Sequence, residues 1–162
     1  MVLGEENPNN GDWEMIYWFT GQPGHGKTVL SWLLRDYFEG KGADVIHIDG
    51  DDLRDIMDNK DYSKEGRVKN IELAQNMANF IHKKGFIVLV SLVSPYLEIR
   101  EKFKDKMGKH IAEFYVHTSE PRERDYYHVE DYEAPKENFV DVDTTKDSPI
   151  ISLEKILEVI KK

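Results

Sequence analysis

The sequence predicts an α/β fold, a three-layer sandwich with a central parallel sheet flanked by helices, and three observations carry the prediction. Apolar, strand-like runs alternate with stretches of helical spacing along the chain, the pattern that builds a parallel sheet covered on both faces. One run, Phe86-Ile87-Val88-Leu89-Val90, is apolar throughout, as a strand buried on both sides must be. The third is a glycine loop, Gly21-Gln22-Pro23-Gly24-His25-Gly26-Lys27-Thr28. It has the spacing of a P-loop and sits between a strand pattern and a helix pattern, the context that motif requires. The sandwich is therefore of the P-loop NTPase type.

Each element has its own signal. Residues 1–12 are polar and turn-rich and read as a flexible tail, which leaves 13–162 as a single domain. Met15 to Phe19 is the first strand. Val29, Leu30, Trp32, Leu33, Leu34, Tyr37 and Phe38 then share one broad helical face, in a helix stopped by Gly40-Lys41-Gly42. Ala43 to Ile48 is the second strand, ending at Asp49-Gly50-Asp51-Asp52, and a short helix runs from about Leu53 to Met57. Ser63 reads as the N-cap of a longer helix, Lys64 to Lys84, with Gly66 weakening its first turn and Gly85 closing it. After Phe86–Val90, Ser94-Pro95 reads as the first turn of a helix to about Lys106. His110 to His117 is a strand, Thr118 to Glu137 is irregular, Asn138 to Val142 is a short strand, and Ser152 to Lys161 is a closing amphipathic helix.

Composition removes several classes of function. A net charge of −9 argues against a nucleic-acid or membrane-surface binder, which needs a basic face. The chain has no cysteine, so disulfides, thiolate catalysis and zinc–cysteine sites are excluded. No apolar run is long enough to span a bilayer and the N-terminus lacks signal-peptide regions, so a cytoplasmic protein is expected.

The loop explains itself chemically. Gly21, Gly24 and Gly26 permit a backbone that turns its N–H groups toward a phosphate at a helix N-terminus, and Gln22, Pro23 and His25 occupy the free positions. Lys27 supplies a positive charge for the β- and γ-phosphates, and Thr28 a hydroxyl for Mg²⁺. A nucleoside triphosphate is the expected ligand. Asp49 and Asp51 are delivered by the second strand to the same sheet edge, where a carboxylate can hold Mg²⁺ or take a proton from an attacking hydroxyl; an acidic turn capping a helix explains them equally well in isolation. The strand Phe86–Val90 ends in Ser91, so it carries no acid in the usual Walker B place. Arg67 and Asn70, three apart, share a helix face, and with Tyr62 they can hold an anionic nucleotide, or form an ordinary solvated face. Ser94 can contact a ligand or cap its helix. The six histidines show no metal-ligand spacing and read as structural.

Taken together, Trp18-Phe19-Thr20-Gly21, the loop ending Gly-Lys-Thr, Asp49-Gly50-Asp51 with Arg54, Tyr62-Ser63 with Arg67 and Asn70, and Leu89 to Tyr96 resemble the adenylylsulfate kinase (APS kinase) family in order and kind, from about Trp18 to Asp143. The resemblance implies ATP-dependent, Mg²⁺-assisted phosphorylation of the 3′-hydroxyl of adenosine 5′-phosphosulfate (APS). It places Arg54, Arg67 and Asn70 on the acceptor, Tyr62 against its adenine, and Val93 and Ser94 in the substrate-contacting turn. Ser94 matches a serine treated in some members as a phospho-intermediate, although in-line transfer needs no covalent step. Asp51 is the first choice for orienting or deprotonating the acceptor and Asp49 the second, with Thr28 and Asp49 on the metal and Arg122 and Arg124 near ATP. A homodimer is an expected assembly.

Two departures stand out. The family carries a long basic lid between Arg-Asp and Tyr-Glu-x-Pro. Here Arg124-Asp125 runs almost directly into Tyr132-Glu133-Ala134-Pro135, which removes a lysine and a phenylalanine; Tyr126 or Tyr127 can replace the ring. Glu72 stands where the family commonly has arginine. Two other readings follow: a kinase of the same fold with a different anionic nucleotide or small metabolite as acceptor, and a nucleotide-binding protein with negligible catalysis.

Overall fold

The computed structural model describes residues 15–121 and 127–161. The expected tail, residues 1–12, lies outside them, as do Arg122, Arg124 and Tyr126. In chain order the elements are β1 (Ile16–Thr20), α1 (Lys27–Gly40), β2 (Val45–Asp49), α2 (Gly50–Ile56), α3 (Lys64–His82), β3 (Ile87–Ser91), α4 (Leu97–Met107), β4 (Ile111–His117), β5 (Val140–Asp143) and α5 (Pro149–Ile160). The strands form one sheet in the order β2-β3-β1-β4-β5, and every pairing is parallel. The chain leaves β1 for one side of the sheet and later crosses to the other. That reversal of direction beside β1 opens a crevice at the carboxyl ends of the strands.

Strand periodicity divides the core in two. Ile16 and Trp18 of β1 and Val88 and Val90 of β3 pack with Leu53, Ile71, Ala74, Ala78 and Phe103, from α2, α3 and α4. The alternate residues, Tyr17, Phe19, Ile87 and Leu89, pack with Leu30, Leu34, Phe38 and Ile156, from α1 and α5. All five residues of β3 are buried, as the unbroken apolar run predicts. Two-sided burial of this kind is the three-layer sandwich.

The boundaries differ from expectation where side chains act on the backbone. Asp49 caps α2, its Oδ1 accepting from the N–H of Asp51 at 2.8 Å and of Asp52 at 3.4 Å, so the helix begins at Gly50 rather than near Leu53. The acidic stretch is therefore the first helical turn. Ser63 does cap α3, accepting from Gly66 N. Gly66 has a reason beyond weak propensity: a Cβ there would lie 2.1 Å from the carbonyl oxygen of Asp61. Ser94 does not cap α4. Tyr96 is the N-cap, without a side-chain bond, and Pro95 precedes the helix instead of opening it. At the other end of the chain, Ser148 and Pro149 begin α5 earlier than expected, with Ser148 capping Ile151 N.

Candidate active site

The crevice is a cleft of about 970 Å³, bounded by the glycine loop, the start of α2, the front of α3, the turn after β3 and residues 127–129. That is the upper end of the size of single-ligand pockets, about 300–1,000 Å³. Pro23, Gly24, Gly26, Lys27 and Thr28 line one end. Arg54, Tyr62, Arg67 and Asn70 line the other, with Asp49 and Asp51 between them and Val93 and Ser94 alongside.

At the loop end, Gly21 has φ +152°, and a Cβ would meet the carbonyl oxygen of Val116 at 2.1 Å. The loop lies so close to β4 that only glycine fits. Gly26 is the N-cap of α1 at φ 106°, and the His25 carbonyl accepts from Thr144 Oγ1 at 3.2 Å. Lys27 is 7% exposed, and its Nζ donates to Gln22 O at 2.7 Å. The ammonium is thus held against the loop it would leave to meet a phosphate.

Between the two ends the carboxylate of Asp49 is fixed from every side. Its Oδ1 caps α2, while Oδ2 accepts from Thr28 Oγ1 at 3.2 Å and from Ser91 Oγ at 3.3 Å. Ser91 spends its one proton on Asp49, so the 2.7 Å contact between Ser91 Oγ and His47 Nε2 requires His47 to donate. Burial holds the His47 imidazole below its ordinary value, against the opposing pull of Asp49. The network is a product of strand pairing, which sets Asp49 beside Ser91 in register. The acid missing from the end of β3 is supplied by its neighbour β2, and Ser91 orients it.

At the far end, Arg54 donates through Nη1 to the carbonyls of Asn59 and Asp61 at 3.1 and 3.0 Å, and its guanidinium stands 4.1 Å over the exposed Tyr62 ring. Arg67 pairs with Asp131 at 3.3 Å. Asn70 is 6% exposed; its Nδ2 donates to Gly50 O, and its Oδ1 has no hydrogen-bond partner among the described residues. A buried acceptor without a donor is costly unless a ligand supplies one. Thr20 Oγ1 donates to Val93 O at 2.8 Å. Ser94, at φ 46°, turns its hydroxyl inward, donating to Leu92 O and accepting from Trp18 Nε1 at 3.0 Å.

The structure thus brings most of the sequence-predicted residues to one cleft. Gly21 and His25 support the loop without lining it, and Gln22 turns its side chain elsewhere. Sequence reasoning missed His47, Ser91, His128 and Val129. For His47 a signal existed, since it precedes Asp49 by two and so shares its face of the strand. Among the described residues no cluster of three or more His, Asp or Glu side chains can hold a metal, and no helix is long and apolar enough to cross a membrane.

Comparison with known proteins bears on the family and the fold. A Picosynechococcus adenylyl-sulfate kinase is 36% identical over 98 residues, 60% of this chain; the matched stretch spans about half, 55%, of that relative's length. A Campylobacter jejuni cytidine diphosphoramidate kinase is 28% identical over 162 aligned residues, covering 91% of this chain and 95% of its own. The fold is shared with the Mycobacterium tuberculosis APS kinase solved in complex with AMPPNP and APS, at a TM-score of 0.79 and 23% identity over 91% of this chain and 98% of that one. Residues 14–149 match the family model for adenylylsulphate kinase, and the chain belongs to that family.

Proposed function

We propose that the protein transfers the γ-phosphoryl group of ATP to the 3′-hydroxyl of adenosine 5′-phosphosulfate. One observation carries the reading: a single cleft joins a phosphate-binding loop at one end to two arginines and a buried asparagine at the other, with two aspartates between. Donor phosphates at Lys27 and an anionic acceptor at Arg54 and Arg67 would meet in front of Asp49 and Asp51.

The residues divide the work. The loop amides and Lys27 bind the β- and γ-phosphates. Thr28 and Asp49, hard oxygen donors 3.2 Å apart, suit Mg²⁺, whose preference is for such ligands beside substrate phosphates. When bound, the ion neutralises charge on the phosphates. Asp49 accepts four hydrogen bonds that hold it in place, and Asp51, which lines the same cleft one residue into α2, orients the acceptor hydroxyl and receives its proton. The hydroxyl oxygen bonds to the γ-phosphorus as the bond to the β–γ bridging oxygen breaks, and ADP leaves. Arg67 and Asn70 hold the acceptor in line. Ser94, its hydroxyl engaged inward, is not needed as a covalent intermediate. A cytoplasmic homodimer belongs to the same proposal, supported by family membership and by the absence of cysteine.

A second acceptor is favoured by a specific observation, the near-full-length match to a cytidine diphosphoramidate kinase. The test is therefore a paired assay: ATP and Mg²⁺ with APS, or with a cytidine diphosphate derivative, and the products identified by mass. APS-dependent formation of the 3′-phosphorylated product is expected, with Lys27→Ala abolishing it while circular dichroism and Tm stay close to wild type. Turnover of the cytidine nucleotide alone would replace APS as acceptor. Full activity in the lysine variant would overturn the phosphate-binding role of the loop.

A further inference from the structure

Gln22 sits in the phosphate loop, yet its side chain grips a different part of the chain. Its Nε2 donates to the carbonyl of Val129 at 2.8 Å, and the N–H of Val129 donates to Oε1 at 2.8 Å. A two-point match of an amide to one peptide fixes which end is oxygen and which nitrogen. Nε2 also lies 3.4 Å from His128 Nε2. Val129 is buried at 7% exposure, 107 residues along the chain from its partner. Meanwhile the backbone carbonyl of Gln22 accepts from Lys27 Nζ. One residue therefore touches the phosphate-binding ammonium through its main chain and residue 129 through its side chain.

What the grip holds in place is one wall of the cleft. Tyr127, His128 and Val129 line the cleft, and Asp131 pairs with Arg67. The following residues are tied separately, Tyr132 by its hydroxyl to Thr20 at 2.9 Å and Glu133 by its N–H to Pro95 O at 2.8 Å. Those ties lie beyond Asp131. The paired bonds from Gln22 join Val129 to the glycine loop, and the Val129 carbonyl accepts as well from the N–H of Tyr132 at 3.3 Å.

We infer that Gln22 is a positioning and specificity-determining residue, whose side-chain amide sets residues 127–131 against the acceptor end of the cleft and links their placement to the loop that binds the donor. The inference rests on the proposed kinase reading for its acceptor, and on the hydrogen-bond geometry alone for the clamp. Gln22→Met separates the hydrogen bonds from packing, because it keeps the length and bulk of the side chain and loses both bonds. Gln22→Glu keeps the bond from Val129 N and sets a carboxylate against Val129 O.

Two measurements decide it. Hydrogen exchange with an ATP analogue and no acceptor reads the clamp: the Val129 amide is protected in the wild type and exchanges at least about tenfold faster in Gln22→Met, as loss of a paired bond predicts. Steady-state kinetics read specificity: the acceptor KM rises about tenfold in Gln22→Met and at least as much in Gln22→Glu, while the ATP KM stays within about twofold. Unprotected Val129 in the wild type, or unchanged exchange in the methionine variant, overturns the clamp. Equal rises for ATP and acceptor, or wild-type kinetics in Gln22→Met, overturn the specificity role. Wild-type protein that phosphorylates neither nucleotide would sink the kinase reading and the acceptor half of this inference with it, and the exchange result would still settle the clamp.

Discussion

Asp131 places a carboxylate on the guanidinium of Arg67, the group proposed to hold the acceptor's anion. The pair is 3.3 Å long, with the side chains 26% and 56% exposed, so water screens it and its value is at most about 1 kcal/mol. That is small for folding and appreciable for a KM, since an acceptor anion must displace the carboxylate or share Arg67 with it. Asp131→Asn removes the competing charge and keeps the size. The acceptor KM is expected to fall up to about fivefold, following from about 1 kcal/mol, with the ATP KM and Tm close to wild type. A rise in acceptor KM would show instead that Asp131 presents Arg67 in its working orientation. Asn70, three residues on, needs no such release: among the described residues its Oδ1 has no partner, and a ribose hydroxyl or an exocyclic amine of the proposed acceptor would supply the donor.

At the scale of elements, the edge strand β2 and the helix it launches hold most of the site's rigidity, and His47 exposes that junction to pH. Burial lowers the His47 pKa in the folded chain, whereas the unfolded chain binds its proton near about 6.5. Below that pH the unfolded state takes up more protons, so the contribution of neutral His47 is present above about 6.5 and lost as pH falls. Urea denaturation of the metal-free protein at pH 7.5 and 5.5 should show a smaller acid loss for His47→Gln than for wild type; equal losses would mean the imidazole does not titrate with unfolding. The same junction shows what the sequence could tell. Local signals were legible: the unbroken apolar run of β3, the cap at Ser63, the glycine loop. For Asp49-Gly50-Asp51-Asp52 the cap was one of the two readings and is present, but the expected helix start lies three residues late, because which acid caps depends on where the strand ends. For Ser94 a cap and a ligand contact both stood open in the sequence; it lines the cleft and caps nothing, its hydroxyl being held by Trp18, 76 residues away. The contacts of Gln22 with Val129 and of His47 with Ser91 exist only after the sheet has assembled, and no local pattern announces them.

Across the whole molecule, one buried guanidinium ties the core to the site. Arg100 of α4 and Glu113 of β4 form an ion pair at 3.2 Å with both side chains 1% exposed. Lys104 gives Glu113 a second cation at 3.1 Å. The other arms of Arg100 donate to the carbonyls of Ser94 and Glu133, so the turn after β3 and the segment beyond Asp131 hang from the same side chain. Removing one member of a buried pair costs about 3–5 kcal/mol, and in a chain this size about 1 kcal/mol moves Tm by roughly 2–4 °C. Arg100→Ala should therefore lower Tm by about 6 °C or more. Arg100→Lys should recover little, because an ammonium cannot span three acceptors in a fixed plane. The informative variant is the double replacement Arg100→Met with Glu113→Leu. If the ion pair were the whole story, an apolar substitute of similar volume would restore stability, as buried pairs often allow. Here two carbonyls also lose their donor, each costing about 1–3 kcal/mol when left unsatisfied. The double variant is thus expected to regain only part of the Tm and to keep a raised acceptor KM, because Ser94 lines the cleft and Glu133 follows closely on Asp131, the partner of Arg67. Full recovery of both Tm and KM would reduce Arg100 to a core ion and detach it from the site.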